Sequence, residues 1–243
     1  MGAGDPMMLL LATSSAHKIV EMTRMLAREG VPVTVVGRGD VVSYPEPVED
    51  GATFEANALL KARAGFAATG VVTLADDSGL EVDVLNQMPG VRSARWAGGH
   101  GDDAENLALL LRQIDDVEPA RRTARFVCAM ALVWGQPTDD DQAHRRHEVV
   151  LRGVVEGRLT TSPRGEHGFG YDPVFVPNGF TATTAEMSDE DKDDLSHRGR
   201  ALRAITPWIR SLADRVSATR RGQIEPVFAP VASSEGVADE TVS

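Results

Sequence analysis

Residues 124–134 read ARFVCAMALVW and residues 147–155 read HEVVLRGVV, two β-rich runs divided by a polar segment that holds Pro137 and the three aspartates Asp139–Asp141. A proline and clustered acids between two apolar runs mark a surface hairpin loop, which joins antiparallel strands. Upstream the pattern is different. Met7–Ala12 is a short apolar run suited to a buried strand, and Thr13, Ser14 and Ser15, all helix-capping types, follow it. Ile19, Met22 and Leu26 then recur at helical spacing until Gly30. Val31–Val36 reads as a second strand, and Ala58, Leu59, Ala62 and Phe66 mark an amphipathic helix over 55–69 that Gly70 ends. Alternating strands and helices alone would suggest a doubly wound parallel sheet. The antiparallel pair at 124–155 changes the expectation to a mixed α/β fold.

The remaining elements fit around this frame. Val71–Ala75 is a buried-strand candidate that runs into Asp76, Asp77, Ser78 and Gly79, after which Leu80, Val82 and Val84 alternate with Glu81 and Asp83. Asp102 or Asp103 caps a helix with a Leu107, Leu110, Leu111 and Ile114 stripe. Residues 165–177 read as a loop feeding a strand at Val174–Val176. Leu202, Ile205, Ile209 and Leu212 lie at helical spacing, but Pro207 interrupts them, so one helix is expected to end near Ile205 and another to begin at Thr206. The expected domain covers 7–216, followed by a disordered tail over 217–243.

Composition narrows the function. The 243 residues include 25 basic and 36 acidic side chains, so the formal charge is 25 − 36 = −11, which argues against a protein that tracks along nucleic acid. A locally positive site for a small anion is still compatible with that total. Cys128 is the single cysteine, so neither an internal disulfide nor a multi-cysteine zinc site can form, and a reducing compartment is expected. No apolar run approaches the ~20 residues that cross a bilayer, and the first residues lack a basic segment before their apolar stretch. The expectation is a cytoplasmic protein that binds neither membrane nor nucleic acid.

Four constellations can carry chemistry. Thr13-Ser14-Ser15-Ala16-His17-Lys18 follows a strand and opens a helix, where free N–H groups, hydroxyls and a lysine can hold a phosphate; it equally reads as a plain N-cap with a surface lysine. Asp76-Asp77-Ser78-Gly79 offers a carboxylate for Mg²⁺ or for a water, or a solvated turn. Because neighbouring strand residues face opposite ways, only one aspartate of the pair can face a given site. Glu49 is a candidate second carboxylate in an acid-rich stretch that does not single it out. Gly168-Phe169-Gly170-Tyr171-Asp172-Pro173 offers aromatic faces for a base and glycines for close approach, or a structural turn. Lys192, set among Glu186, Asp189, Glu190, Asp191, Asp193 and Asp194 on a solvated face, precedes Ser196-His197-Arg198, a dense set of donors for a purine 6-oxo group.

Taken in order, LLATSSAHK, EDGATFEANALLKARA, ADDSGLEVDVL, MPGVRSARWAG, GFGYDPVF and SHRGRAL resemble the inosine triphosphate pyrophosphatase family, enzymes of non-standard purine nucleoside triphosphates, from about Met8 to about Leu212. The resemblance implies Mg²⁺-dependent hydrolysis of inosine, deoxyinosine and xanthosine triphosphates (ITP, dITP, XTP) to the monophosphate and pyrophosphate, by a homodimer. It implies an elongated two-lobed fold with a long central mixed β-sheet flanked by helices and the nucleotide cleft between the lobes. By the same resemblance Thr13–Lys18 hold the triphosphate, Asp77 is the general base and a metal ligand, Glu49 is the other metal ligand, and Ser78 touches substrate. Phe169, Gly170, Tyr171, Asp172, Lys192, His197 and Arg198 then line the base and phosphate sites. Two positions depart from the family pattern: Ser15 stands where asparagine is usual, and His167 where glycine is common. Ser15 keeps a nucleotide-binding module with little turnover open as an alternative, as is a pyrophosphatase for pyrimidine or other modified nucleotides.

Overall fold

The computed structural model describes residues 6–99, 101–135, 146–188, 191–192 and 195–220, without the side chains of His17 and Arg220. The hairpin loop expected at 136–145 and the tail beyond Arg220 lie outside these residues. In chain order the main elements are β1 (Met7–Leu11), α1 (Ala16–Arg28), β2 (Val33–Gly37), α2 (Phe54–Thr69), β3 (Thr73–Val82), α3 (Asp103–Gln113), β4 (Thr123–Gly135), β5 (Arg146–Leu159), β6 (Phe175–Pro177) and α4 (His197–Arg220). The strands form one sheet in the order β2-β1-β3-β4-β5-β6. β2, β1 and β3 run parallel, whereas β3–β4, β4–β5 and β5–β6 are antiparallel, so the sheet is mixed, as the 124–155 stretch implied.

Local signals place the helices. Ser15 caps α1 by accepting from the Lys18 N–H, and Thr53 caps α2 by accepting from the Ala56 N–H. Gly70 ends α2 at φ 67°, a left-handed conformation that costs glycine nothing.

The long strand β3 organises the core. Along one face, Leu74, Asp76, Ser78, Leu80 and Val82 follow one another at the period of two. Leu74 belongs to an apolar cluster with Leu9, Leu26, Met130, Leu202 and Ile205, built between the sheet, α1 and α4. Leu80 and Val82 belong to a second cluster with Leu110, Ile114, Phe126 and Phe175. Asp76 and Ser78 fall in the gap between the two. The opposite face packs Ala75, Val127, Ala129 and Ala131 against Phe54, Ala58, Ala62 and Phe66 of α2. Two apolar clusters on one face with a polar interval between them make two lobes and a cleft.

Two expectations need correction. Asp76–Gly79 form no turn: β3 runs without a break from Thr73 to Val82, with Asp77 opposite Ala129 and Ser78 opposite Cys128. A full antiparallel ladder with β4 satisfies the backbone of these polar residues, which removes the advantage of a turn. Nor does Pro207 divide the last helix, since α4 is continuous through it to Arg220, beyond the expected boundary at 216. A proline inside a helix costs about 3 kcal/mol. Ala201, Leu202, Ile205, Ile209, Leu212 and Ala213 bury one unbroken stripe against the first cluster, which outweighs that cost. The Thr206 hydroxyl does not cap a new helix; it donates to the Leu202 carbonyl at 2.7 Å.

Candidate active site

The site is built where β1 stops short of β3. Their pairing ends at Leu11 and Leu74, and the next bond, from the Ala12 N–H to the Leu74 carbonyl, is the last along that edge. The loop Ala12–Ser15 and the first turn of α1 therefore lie beside Asp76–Gly79. Further along, the Ser93 hydroxyl accepts from the Leu80 N–H at 2.9 Å and donates to the Gly90 carbonyl at 2.6 Å. The Gly90–Arg95 3₁₀ segment thereby closes the far side.

The two aspartates of β3 face opposite ways, and each makes hydrogen bonds to its own partners. Asp76 is buried; its Oδ2 accepts from Lys18 Nζ at 2.9 Å and from the Ser78 hydroxyl at 3.2 Å, and Arg198 Nε lies 3.6 Å away. Burial alone would raise its pKa, but Lys18, Arg198 and Lys61 overcome that and hold it well below the usual carboxylate range. Asp76 is thus a permanent counter-ion. Asp77 accepts from Asn57 Nδ2 at 3.0 Å and from Lys61 Nζ at 3.4 Å. Burial raises its pKa above the usual value, and Lys61 and Asn57 offset only part of that rise. A carboxylate that is poorly solvated and lightly bonded has the character of a base or a ligand.

Glu49 joins Asp77 through a shared cation, since Lys61 Nζ is also 3.1 Å from Glu49 Oε1. The loop bearing Glu49 is tied to the same helix turn: Asn57 Oδ1 accepts from the Gly51 N–H at 2.8 Å while its amide serves Asp77. Two carboxylates converging on one ammonium are an oxygen donor set of the kind that suits a magnesium ion completed by phosphate oxygens and water.

On the other face, Ser15, Lys18, Phe169, Lys192, His197 and Arg198 line one cleft of about 410 Å³. Ser78, Gly170, Tyr171 and Asp172 line an adjoining cavity of about 150 Å³, which shares Phe169, His197 and Arg198 with the cleft. Phe169 is 48% exposed, and its ring centroid lies 5.5 Å from Lys192 Nζ and 6.0 Å from the Arg198 guanidinium carbon, an open aromatic face edged by positive charge. Tyr171 differs from expectation. Its ring is buried in the second apolar cluster and its hydroxyl donates to the Ser93 carbonyl at 2.9 Å, so the exposed aromatic face of the loop is that of Phe169. Asp172 supports the loop, accepting from the Phe169 N–H at 2.9 Å, the Thr184 hydroxyl at 2.8 Å and Lys192 Nζ at 2.6 Å. His197 stacks on Phe126 with centroids 4.9 Å apart; burial and the neighbouring Arg198 push its pKa well below the ordinary value, so the ring is neutral at physiological pH.

The remaining positions of the first constellation do less. The Thr13 hydroxyl accepts from the Ser15 N–H at 3.1 Å, and Arg38 Nη1 lies 3.4 Å from the Ser14 hydroxyl. Ala16 and His17 begin α1, and the His17 side chain lies outside the described residues. So do Asp189, Glu190, Asp193 and Asp194 of the acidic run. Among the described residues no three or more His, Cys, Asp or Glu side chains gather as a metal cluster.

Three participants carry no role in the reading of the sequence. Glu21 pins Arg198, whose Nη1 donates to Oε2 at 2.8 Å and Oε1 at 3.1 Å. Asn57 and Lys61 sit four residues apart beside the Ala58 and Ala62 stripe of α2, so both reach Asp77 from one helix face. That i, i+4 spacing was visible, and only the partner on β3 was not.

A family model described as the Ham1 family matches residues 9–208. The chain belongs to the Ham1 family. Among Ham1 relatives, a protein named dITP/XTP pyrophosphatase from Nocardia farcinica is 53% identical over 208 residues, covering 85% of this chain and 97% of that one. A crystal structure of a nucleoside-triphosphatase, dITP/XTP pyrophosphatase, from Mycobacterium abscessus is 49% identical, with a TM-score of 0.67 over 83% of this chain and 100% of that one. A HAM1 protein from Coxiella burnetii is 35% identical, with a TM-score of 0.74 over 84% of this chain and 99% of that one. No helix among the described residues is long and apolar enough to cross a membrane.

Proposed function

We propose that this Ham1 protein is a nucleoside triphosphate pyrophosphatase that hydrolyses ITP, dITP and XTP to the monophosphate and pyrophosphate. One observation carries the reading: a donor-rich aromatic pocket and a carboxylate–lysine cluster meet across a single strand, with Ser78 and Asp77 as neighbours on it. The names of the relatives agree with it.

The purine stacks on Phe169, and donors from Arg198 and His197 meet its 6-oxo group. Adenine would present an amino group there, donor against donor, a mismatch worth ~1–3 kcal/mol. Asp77 orients the water that attacks the α-phosphorus and accepts its proton as the new P–O bond forms and the bridge to the β-phosphate breaks. Lys18 and Lys61 stabilise the negative charge that grows on the departing pyrophosphate. Glu49 and Asp77 would hold Mg²⁺, which when bound neutralises phosphate charge and polarises the phosphorus.

Incubating the protein with ITP and Mg²⁺, then separating products by chromatography, tests this. Equimolar inosine monophosphate and pyrophosphate are expected. Inosine diphosphate with inorganic phosphate, or intact nucleotide, would overturn it.

A further inference from the structure

Four residues line both the cleft and the adjoining cavity: Asp103, Phe169, His197 and Arg198. The last three receive the purine in the proposed function, and Asp103 has no part in it. Asp103 is the first residue of α3, yet it is not the cap of that helix, because Asp102 accepts from the Glu105 N–H at 3.0 Å. The Asp103 carboxylate turns instead to the aromatic loop, where its Oδ2 accepts from the Gly170 N–H at 2.9 Å. That bond joins α3 to a loop 67 residues further along the chain and holds the acid beside the exposed Phe169 ring.

The other carboxylates that line these two spaces have their partners. Glu21 accepts twice from Arg198, and Asp172 accepts from the Phe169 N–H, the Thr184 hydroxyl and Lys192. Among the described residues the Asp103 carboxylate makes the Gly170 bond alone and stands in no ion pair. An uncompensated negative charge repels a phosphate chain, so it belongs at the base end of a nucleotide. It is useful there only to a ligand that brings an N–H.

We propose that Asp103 determines base specificity by accepting a hydrogen bond from the purine N1–H through the carboxylate oxygen that Gly170 leaves over. A 6-oxopurine carries an acceptor at position 6 beside a donor at position 1, and Arg198 and Asp103 answer them with a donor and an acceptor. Adenine reverses both positions. The assignment deepens the purine pyrophosphatase reading and rests on it for the identity of the base. A residue that merely latched the loop would act through its bond to Gly170, and an asparagine oxygen can keep that bond. The asparagine amide then points an N–H at position 1, which opposes the N1–H of hypoxanthine and suits the bare N1 of adenine.

Inosine monophosphate and adenosine monophosphate are the probes, titrated calorimetrically into full-length wild-type protein, Asp103→Asn and, as a control, Asp102→Asn, which keeps a good cap on α3. Loss of a hydrogen bond to a charged group should weaken inosine monophosphate about tenfold or more in Asp103→Asn, with adenosine monophosphate unchanged or tighter. The melting temperature of Asp103→Asn and both affinities of Asp102→Asn stay at the wild-type values. An equal fall for the two nucleotides in Asp103→Asn would reduce Asp103 to a latch and overturn the assignment, as would undiminished binding of inosine monophosphate. Either result leaves the purine pocket standing, whereas a wild-type protein that does not bind inosine monophosphate overturns the assignment and the pocket together.

Discussion

Asp76 and Asp77 are consecutive in β3, yet the Asp76 carboxylate lies 2.9 Å from Lys18 Nζ while that of Asp77 lies 3.0 Å from Asn57 Nδ2 on the other face of the sheet. The same substitution should therefore have opposite consequences at the two positions. Asp76→Asn removes a buried, fully ionised counter-ion from between two cations, so stability falls on the order of 3 kcal/mol and Lys18 loses its orientation. Asp77→Asn removes a charge that burial already disfavours, so stability holds or rises slightly while kcat falls about 10²–10⁴-fold. Denaturant melts and steady-state rates of both variants check this. A stable, active Asp76→Asn, or an active Asp77→Asn, contradicts the division of labour.

Ser15 is one of the two positions, with His167, that depart from the motif pattern the resemblance implies. It caps α1, with Oγ 3.4 Å from the Lys18 nitrogen, and it lines the cleft. Asparagine is as good a cap as serine and adds an amide donor toward the phosphates, so Ser15→Asn should raise kcat/KM for ITP severalfold with little change in stability. A lower or unchanged kcat/KM refutes that account.

Periodicity and punctuation carried most of the fold. The 124–155 runs became β4 and β5, Gly70 ended α2, and the capping residues before Lys18 opened α1. Local signals misled where long-range pairing decided. Asp76–Gly79 has turn composition, but β4 holds it extended, and Pro207 signals a break that the buried stripe of α4 overrides. The site divided along the same line. Lys18, Phe169, Lys192, His197 and Arg198, from three separate stretches of sequence, line one cleft. Asn57, Lys61 and Glu21 owe their places to partners 20, 16 and 177 residues away, separations that no local pattern encodes.

His197 supplies a pH test. Its folded-state pKa is depressed by burial and by Arg198, whereas in the unfolded chain it titrates near 6.5. As pH falls below 6.5 the unfolded state takes up a proton that the folded state refuses, so this residue costs stability on the acid side and nothing above about pH 7.5. His197→Gln has no ring to protonate and escapes that cost. Between pH 7.5 and 5.5 the wild type should lose up to about 1.4 kcal/mol more than the variant, read from urea unfolding at each pH. Parallel pH profiles for the two proteins would show that His197 titrates normally in the fold.

Gly153 links the stability of the sheet to the geometry of the pocket. It lies in β5 opposite Cys128, and a β-carbon there would collide with the His197 carbonyl oxygen and the Ala201 nitrogen, both backbone atoms of the first turn of α4. Neither can rotate aside as a side-chain tip would, so Gly153→Ala must push the start of α4 away from the sheet. His197 and Arg198 ride on that turn. The variant should lose about 1–3 kcal/mol of stability and show a raised KM for ITP with a smaller change in kcat, because the purine donors move while Asp77 and Lys61 do not. Gly39→Ala, where a β-carbon would meet nothing within 4 Å, is the matched control and should leave both quantities alone. A Gly153→Ala protein that melts lower but keeps the wild-type KM would show that the pocket tolerates displacement of α4.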